Sequence, residues 1–370
     1  MNLKDPIILP FYAKLSVFFV GFLAFLIILY VAQVIILPLI LALLIAILLN
    51  PIISFFVRKK INRLVSIIIT LLIMTILVGV LGSFLYSQIN MFSESWPTLV
   101  TKFNQLLNQL VTYASNYLDI EPLAIREWIT KTEGEIFDTG SASIGKTLVG
   151  VGNVIAILFL VPVYVFMILY YKPLLLEFLH RIFAKGNQSR MSEIISQTKN
   201  VIMHYLFGLI IEAFIVAALD SAALLILGIR YAILLGILAA FLNMIPYIGG
   251  IVAVALPMMV AFVTKDSAWS ALYVLIIYYL IQLFDNNYIV PIIVASKVKI
   301  NALFSMIAVL IGNLLWGIPG MVLSLPLLAI LKVIFDHVES LQPWGYLLGD
   351  KMPQSTEKHS FFTRKEKVKQ

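Results

Sequence analysis

Asn243-Met244-Ile245-Pro246-Tyr247-Ile248-Gly249-Gly250 and Gly312-Asn313-Leu314-Leu315-Trp316-Gly317-Ile318-Pro319-Gly320 interrupt two long apolar stretches, Tyr231 to Thr264 and Leu303 to Phe335. As a straight helix either stretch would run about 50 Å, against about 30 Å of hydrocarbon in a bilayer. Cut at its break, each yields halves of about 15 residues, too short to cross alone. A re-entrant hairpin, which turns inside the membrane and leaves by the side it entered, satisfies both lengths. Pro246, Gly249 and Gly250 then form the first tip, and Gly317, Pro319 and Gly320 the second. Lipid cannot satisfy free backbone N–H and C=O groups, so such tips must be buried in protein or line a watery cavity. Paired broken segments of this kind point to a transport site.

Composition places the whole chain in the same setting. Of 370 residues 61% are hydrophobic and 12% charged, and there is no Cys. The apolar runs are near-continuous and helix-length, whereas a β-barrel would alternate in polarity over segments of about 10 residues. The expected fold is an all-α membrane protein with about six full spans and two Pro/Gly-broken re-entrant hairpins, eight hydrophobic segments in all. Disulfides and thiolate metal sites are excluded without Cys. The net charge of +7 is scattered among loops between spans, which fits positive-inside bias and the lipid bilayer as partner rather than nucleic acid.

Residues 1–89 read as a three-span bundle. Leu15 to Val31 and Val34 to Val57 form an uncleaved helical hairpin, the second helix bent at Pro38 and Asn50-Pro51, and Leu64 to Gln88 is the third span. Residues 90–147 read as an extracytoplasmic insertion with an acidic excess. Within it Trp96, Leu99, Val100, Phe103, Leu106, Leu107, Leu110 and Val111 share one helical face, and Pro97 suits a first turn. That face fits the membrane surface, a neighbouring subunit or the chain's own spans. Residues 148–339 read as the transport core: spans Leu148 to Tyr171 and Val201 to Gly228, the hairpin 231–264, the span Trp269 to Tyr288, and the hairpin 303–336. A basic tail, 340–370, follows.

With both broken stretches as hairpins, 19 Lys and Arg lie inside and 6 outside, with Lys332 at a boundary. If both stretches crossed instead, the counts would be 18 and 7. Charge therefore sets the orientation, with both termini cytoplasmic, and leaves the hairpins resting on segment lengths and breaks.

Two acidic residues stand in the apolar span after Val201. Glu212 and Asp220 are eight positions apart, about 12 Å along a helix and about 80° around it. A carboxylate at the centre of a span costs about 2.5 to 3.5 kcal/mol on insertion scales, so it is either compensated or used. Both are proton-coupling candidates; the structural alternative is a hydrogen bond that ties helices together. His204 reads as an interfacial structural residue. Gln282, Asp285, Asn286 and Asn287 gather amides and a carboxylate near the end of a span, and with Asn243 and Asn313 at the breaks they are the expected solute or ion contacts. The alternative is a helix end made polar by the aqueous boundary.

Catalysis has little support. The four His residues (His180, His204, His337, His359) lack metal-ligand spacing, and no nucleophile stands with a base. No enzyme activity, catalytic residue, metal site or cofactor is expected. Gly140-Ser141-Ala142-Ser143-Ile144-Gly145-Lys146-Thr147 matches the phosphate-loop pattern. It lacks the preceding buried strand and leads into a membrane span, so it reads as a loop.

The Asn50-Pro51 helix end, the Pro246-Tyr247-Ile248-Gly249 break, Asp285-Asn286-Asn287 to Pro291, and Trp316-Gly317-Ile318-Pro319-Gly320 followed by Leu325-Pro326 together resemble the autoinducer-2 exporter family of bacterial membrane proteins. The resemblance covers nearly the whole chain. It departs at Gly250, where a second Pro often stands, and at Ile300-Asn301-Ala302, in place of a common Leu-His-Pro. It implies a multi-pass protein of the bacterial inner membrane, a homo-oligomer expected to be pentameric, with protomers like those of elevator-type transporters. The expected function is secondary transport, as an exporter of a small polar solute such as an autoinducer-2-like signal, with possible ion coupling. Sodium or lithium/proton antiport is the alternative within transport, and a non-transporting membrane scaffold the alternative outside it.

Overall fold

In hydrocarbon a helix is the one way for a single segment to satisfy its own backbone, and the computed structural model is almost entirely helical over the residues it describes, 10–118, 159–183, 188–245, 249–265, 267–294 and 300–350. In order these are α1 (Phe11–Val31), α2 (Gln33–Arg58), α3 (Arg63–Leu118), α4 (Phe159–Tyr170), α5 (Lys172–Phe183), α6 (Gln188–Ile226), α7 (Ala232–Asn243), α8 (Gly249–Lys265), α9 (Ala268–Phe284), a π-helical segment (Asp285–Val294), α10 (Ala302–His337) and α11 (Gln342–Leu348). Six helices are long and apolar enough to cross a membrane among the described residues, or seven if α4 and α5, bent by 61°, are one broken span.

α10 is among those six, but it is not straight. Gly317 has φ 62° and ψ −142°, a conformation open to glycine and strained for other residues. A Cβ on Gly312 would lie 2.4 Å from the Gly320 carbonyl oxygen, whereas a straight helix would hold these residues about 12 Å apart. The chain therefore doubles back at Gly317. Asn301 N–H donates to the Leu348 carbonyl (2.9 Å), and Gly345 packs on Asp336, so the two ends of α10 lie near one another. Pro319 falls in the first turn after the reversal, where its missing N–H costs least. The Trp316 indole at this tip donates to the Leu29 carbonyl of α1 (3.0 Å).

α7 and α8 pack on each other across residues 244–248. A Cβ on Gly249 would sit 2.0 Å from the Leu242 carbonyl oxygen, so the start of α8 lies close against the last turn of α7. Pro246, Lys297 and Lys299, the loop at 140–147 and the tail from 351 lie outside the described residues.

Two sequence expectations change. The third span and the amphipathic helix are one continuous α3, with Pro97 in its interior rather than in a first turn. No Gly stands between Gln88 and Pro97 to break it. The continuation is held by packing: Phe92, Leu99, Phe103 and Leu106 join the cluster formed by Leu224, Leu235, Ala239, Val260 and Val274, so these side chains meet the chain's own core. The span after Trp269 leaves α geometry at Asp285 and runs on as a π-helix to Val294. Asn301, in the second departure from the family pattern, is the N-cap of α10, accepting from Leu303 N–H at 2.9 Å.

Two further clusters build the rest. Ala42, Ala46, Leu49 and Ile53 of α2 meet Ile67 of α3 and Val165 and Leu169 of α4. Leu44 of α2 meets Ile202 of α6 and Leu323 of α10. α2 thus stands between α3–α4 and the α6–α10 region, while α1 buries no residue and presents apolar side chains outward, as a lipid-facing helix does.

Candidate functional site

Close backbone approaches on α6 set the site. Gly236 of α7 lies against Ser221, where a Cβ would come within 2.3 Å of the hydroxyl oxygen and 2.5 Å of the backbone nitrogen. Gly208 of α6 lies against the π-helical segment, 2.8 Å from the Ile293 carbonyl oxygen by the same measure. A larger side chain at either glycine would hold these elements apart. Between them lies a cavity of about 900 Å³, lined from α6 by Glu212 and Asp220, from the first break by Asn243 and Gly250, from α9 by Tyr278 and Gln282, and from the π-helical segment by Asp285 and Asn286.

Glu212, Asp220 and Asp285 are 8%, 3% and 1% exposed, so all three carboxyl groups are enclosed. No Lys, Arg or His is among the described residues lining the cavity. Asn243 Nδ2 donates to Asp285 Oδ2 (2.9 Å), while Asp285 Oδ1, Asp220 Oδ1 and the Tyr278 hydroxyl are buried with no hydrogen-bond partner among the described residues. A buried polar atom without a partner is costly, so these groups suit a polar solute, a proton or a cation. No set of three or more His, Cys, Asp and Glu among the described residues is close enough to hold a metal ion.

The 282–287 cluster is divided by the structure. Gln282 Nε2 donates to Asn286 Oδ1 at 3.4 Å, and both line the cavity. Asn287 is exposed, donates to the Leu283 carbonyl (2.7 Å) and does not line it. Asn313 is likewise exposed and off the cavity. Asp285, read from sequence beside boundary amides, is instead among the most enclosed side chains. Asp285 opens the π-helical segment, and local π geometry frequently occurs at functional sites. His204 is exposed, its Nδ1 2.7 Å from the Asn200 carbonyl oxygen.

Tyr205 and Tyr278, 8% and 7% exposed, also line the cavity and were not singled out in the sequence. Tyr278, Gln282 and Asp285 follow the spacing i, i+4, i+7 of one helix face, the signal that could have joined them. Gly250 lies against the Gln282 side chain, where a Cβ would meet its Oε1 at 2.7 Å.

Comparison with known proteins adds a family. The sequence model described as AI-2E family transporter matches residues 19–340. The chain is 25% identical to YrrI of Bacillus subtilis (strain 168) over 256 residues, covering 68% of this chain and 71% of that protein. It is 32% identical to the AI-2 transport protein TqsA of Escherichia coli (strain K12), over 40% of this chain and 43% of TqsA. To PerM of Escherichia coli (strain K12) it is 26% identical, over 51% of this chain and 53% of PerM. The matched segments thus span about half or less of TqsA and PerM.

Proposed function

Since the chain belongs to the AI-2E family of membrane transporters, we propose that it is a secondary transporter that exports a small polar solute and couples this to proton movement. The observation that carries the reading is the cavity itself: Glu212, Asp220 and Asp285 line one space between α6, the α7–α8 break and the π-helical segment, with no described basic side chain to neutralise them. Asp285, with Asn243, Gln282 and Asn286, contacts the solute; Glu212 and Asp220 carry the proton. The solute class follows from those amide and carboxyl groups, which hydrogen-bond hydroxyls, and from the description of TqsA as an AI-2 transport protein. Both breaks are re-entrant, their tips moving in an elevator-like step against a frame of α2, α3 and α4. The working unit is a homo-oligomer, a pentamer, in the bacterial inner membrane, with both termini cytoplasmic.

The same acid-lined, base-free cavity favours a second reading, sodium or lithium/proton antiport, because a monovalent cation is the simplest partner for unneutralised carboxylates. Purified protein in liposomes separates these readings. A proton gradient should drive accumulation of an autoinducer-2-like solute, faster than in protein-free liposomes. Proton release on addition of sodium or lithium, without solute movement, selects the antiporter. Movement of neither solute nor cation leaves a membrane scaffold and overturns the proposal.

A further inference from the structure

A second cavity, of about 460 Å³, lies between α2, α3 and the α4–α5 bend and shares no lining residue with the first. Its charged side chains are Arg58 at the end of α2, Arg63 at the start of α3 and Lys172 at the start of α5; no carboxylate is among the described residues lining it. Asn50, Ser54 and the apolar Ile53, Ile67 and Leu169 complete the walls.

The bend makes this cluster. α4 and α5 meet at 61°, which turns Lys172 toward the end of α2, where its Nζ donates to Asn50 Oδ1 (2.6 Å). Arg63 Nη2 donates to the Leu169 carbonyl (2.8 Å) and ties α3 to the last turn of α4. An ammonium has three donors and a guanidinium five, so each cation retains N–H groups for a ligand. Burial, then the nearby charges of Lys199 and Arg63, push the Lys172 ammonium below its ordinary value, as expected for cations brought together without an anion. Glu177 of α5 pairs with Arg181 on the exposed side (2.9 Å) and does not line the cavity.

We propose that this pocket binds the phosphodiester headgroup of an anionic phospholipid. The cations select a phosphate; the surroundings select a lipid over free phosphate. Ile52 and Phe55 on α2 and Leu174 and Phe178 on α5, close in sequence to lining residues, are 41%, 54%, 65% and 59% exposed, an apolar surface suited to acyl chains. Lys59, next to Arg58, lies 4.7 Å from the Phe55 ring centroid, and its charge adds to the attraction for an anionic surface. Basic pockets between spans are a recurring form of headgroup recognition. This inference requires only that the chain is membrane-embedded and is independent of the transport reading.

Native mass spectrometry of the full chain, titrated with phosphatidylglycerol, phosphatidylcholine or inorganic phosphate, tests it. Phosphatidylglycerol should bind in preference to phosphatidylcholine, and millimolar inorganic phosphate should not displace it. Each lost charge should weaken phosphatidylglycerol about fivefold, hence about 25-fold for Arg63→Gln with Lys172→Gln together. Arg58→Gln, at an exposed position, should weaken it about fivefold and decides the matter if the double variant does not fold. Arg181→Gln, outside the pocket, should bind as the parent does. Equal retention of the two lipids, or unchanged phosphatidylglycerol affinity in Arg58→Gln, overturns the proposal. Displacement by inorganic phosphate overturns its lipid half in favour of a soluble anion.

Discussion

Asn243 donates to Asp285 over 2.9 Å, linking the end of α7 at the first break to the opening residue of the π-helical segment, 42 positions along the chain. The bond occupies Asp285 Oδ2 and leaves Oδ1 buried without a partner among the described residues. One side chain is thereby both a tie between two interrupted elements and the bearer of a buried oxygen that no described group satisfies.

Asp285→Asn should therefore raise the apparent KM for solute or cation more than it lowers maximal rate, since the amide keeps size but loses charge. Asn243→Ala removes the donor and leaves a buried carboxyl group with less satisfaction, at about 1 to 3 kcal/mol of stability. Flux in proteoliposomes reads the first variant and thermal unfolding the second. An unchanged KM in Asp285→Asn would remove this residue from the solute site.

Glu212→Gln keeps shape and hydrogen bonding but removes a titrating group. Proton-driven flux should collapse and its dependence on pH should flatten, while folding and assembly persist. If the pH profile matches that of the parent, Glu212 is a helix-to-helix hydrogen bond, and facilitated diffusion or sodium coupling becomes the better account of transport.

The reversal in α10 makes a steric prediction. Gly317→Ala places a side chain at φ 62° and ψ −142°, at a cost of about 1 to 3 kcal/mol. Gly320→Leu drives a side chain into the Gly312 carbonyl, and thermal unfolding temperature should fall further. Gly79→Ala is the contrast: a Cβ there meets nothing within 4 Å, and alanine in a helix interior should gain about 0.5 to 1 kcal/mol. Equal stability of all three variants would contradict the chain reversal at Gly317.

Sidedness is open to direct labelling, because the chain has no Cys. Lys265→Cys should react with an impermeant thiol reagent from outside the cell, and Lys299→Cys only after the membrane is opened. The reverse pattern would make the two broken stretches crossings.

The polytopic helical class, the two breaks and the identity of the unusual acidic residues are legible in the sequence, because hydrophobic length and Pro or Gly interruption are local properties of the chain. Glu212 and Asp220 stand out for the same reason: a carboxylate among apolar residues needs no fold to be recognised as costly. Packing decided the rest. Asp285 parted from Asn287 because residues two apart on a helix point opposite ways, and packing of the π-helical segment on α6 buried the side that carries Asp285. α3 ran through Pro97 because Leu99, Phe103 and Leu106 pack in the cluster shared with α7 and α8, which no local propensity at Pro97 could foretell. Glu212 and Asp285 share a cavity because Gly208 lets the π-helical segment close on α6. Spacing along a chain reports which residues share a face of one helix; which faces meet depends on contacts between residues far apart in sequence, and those form only when the helices pack.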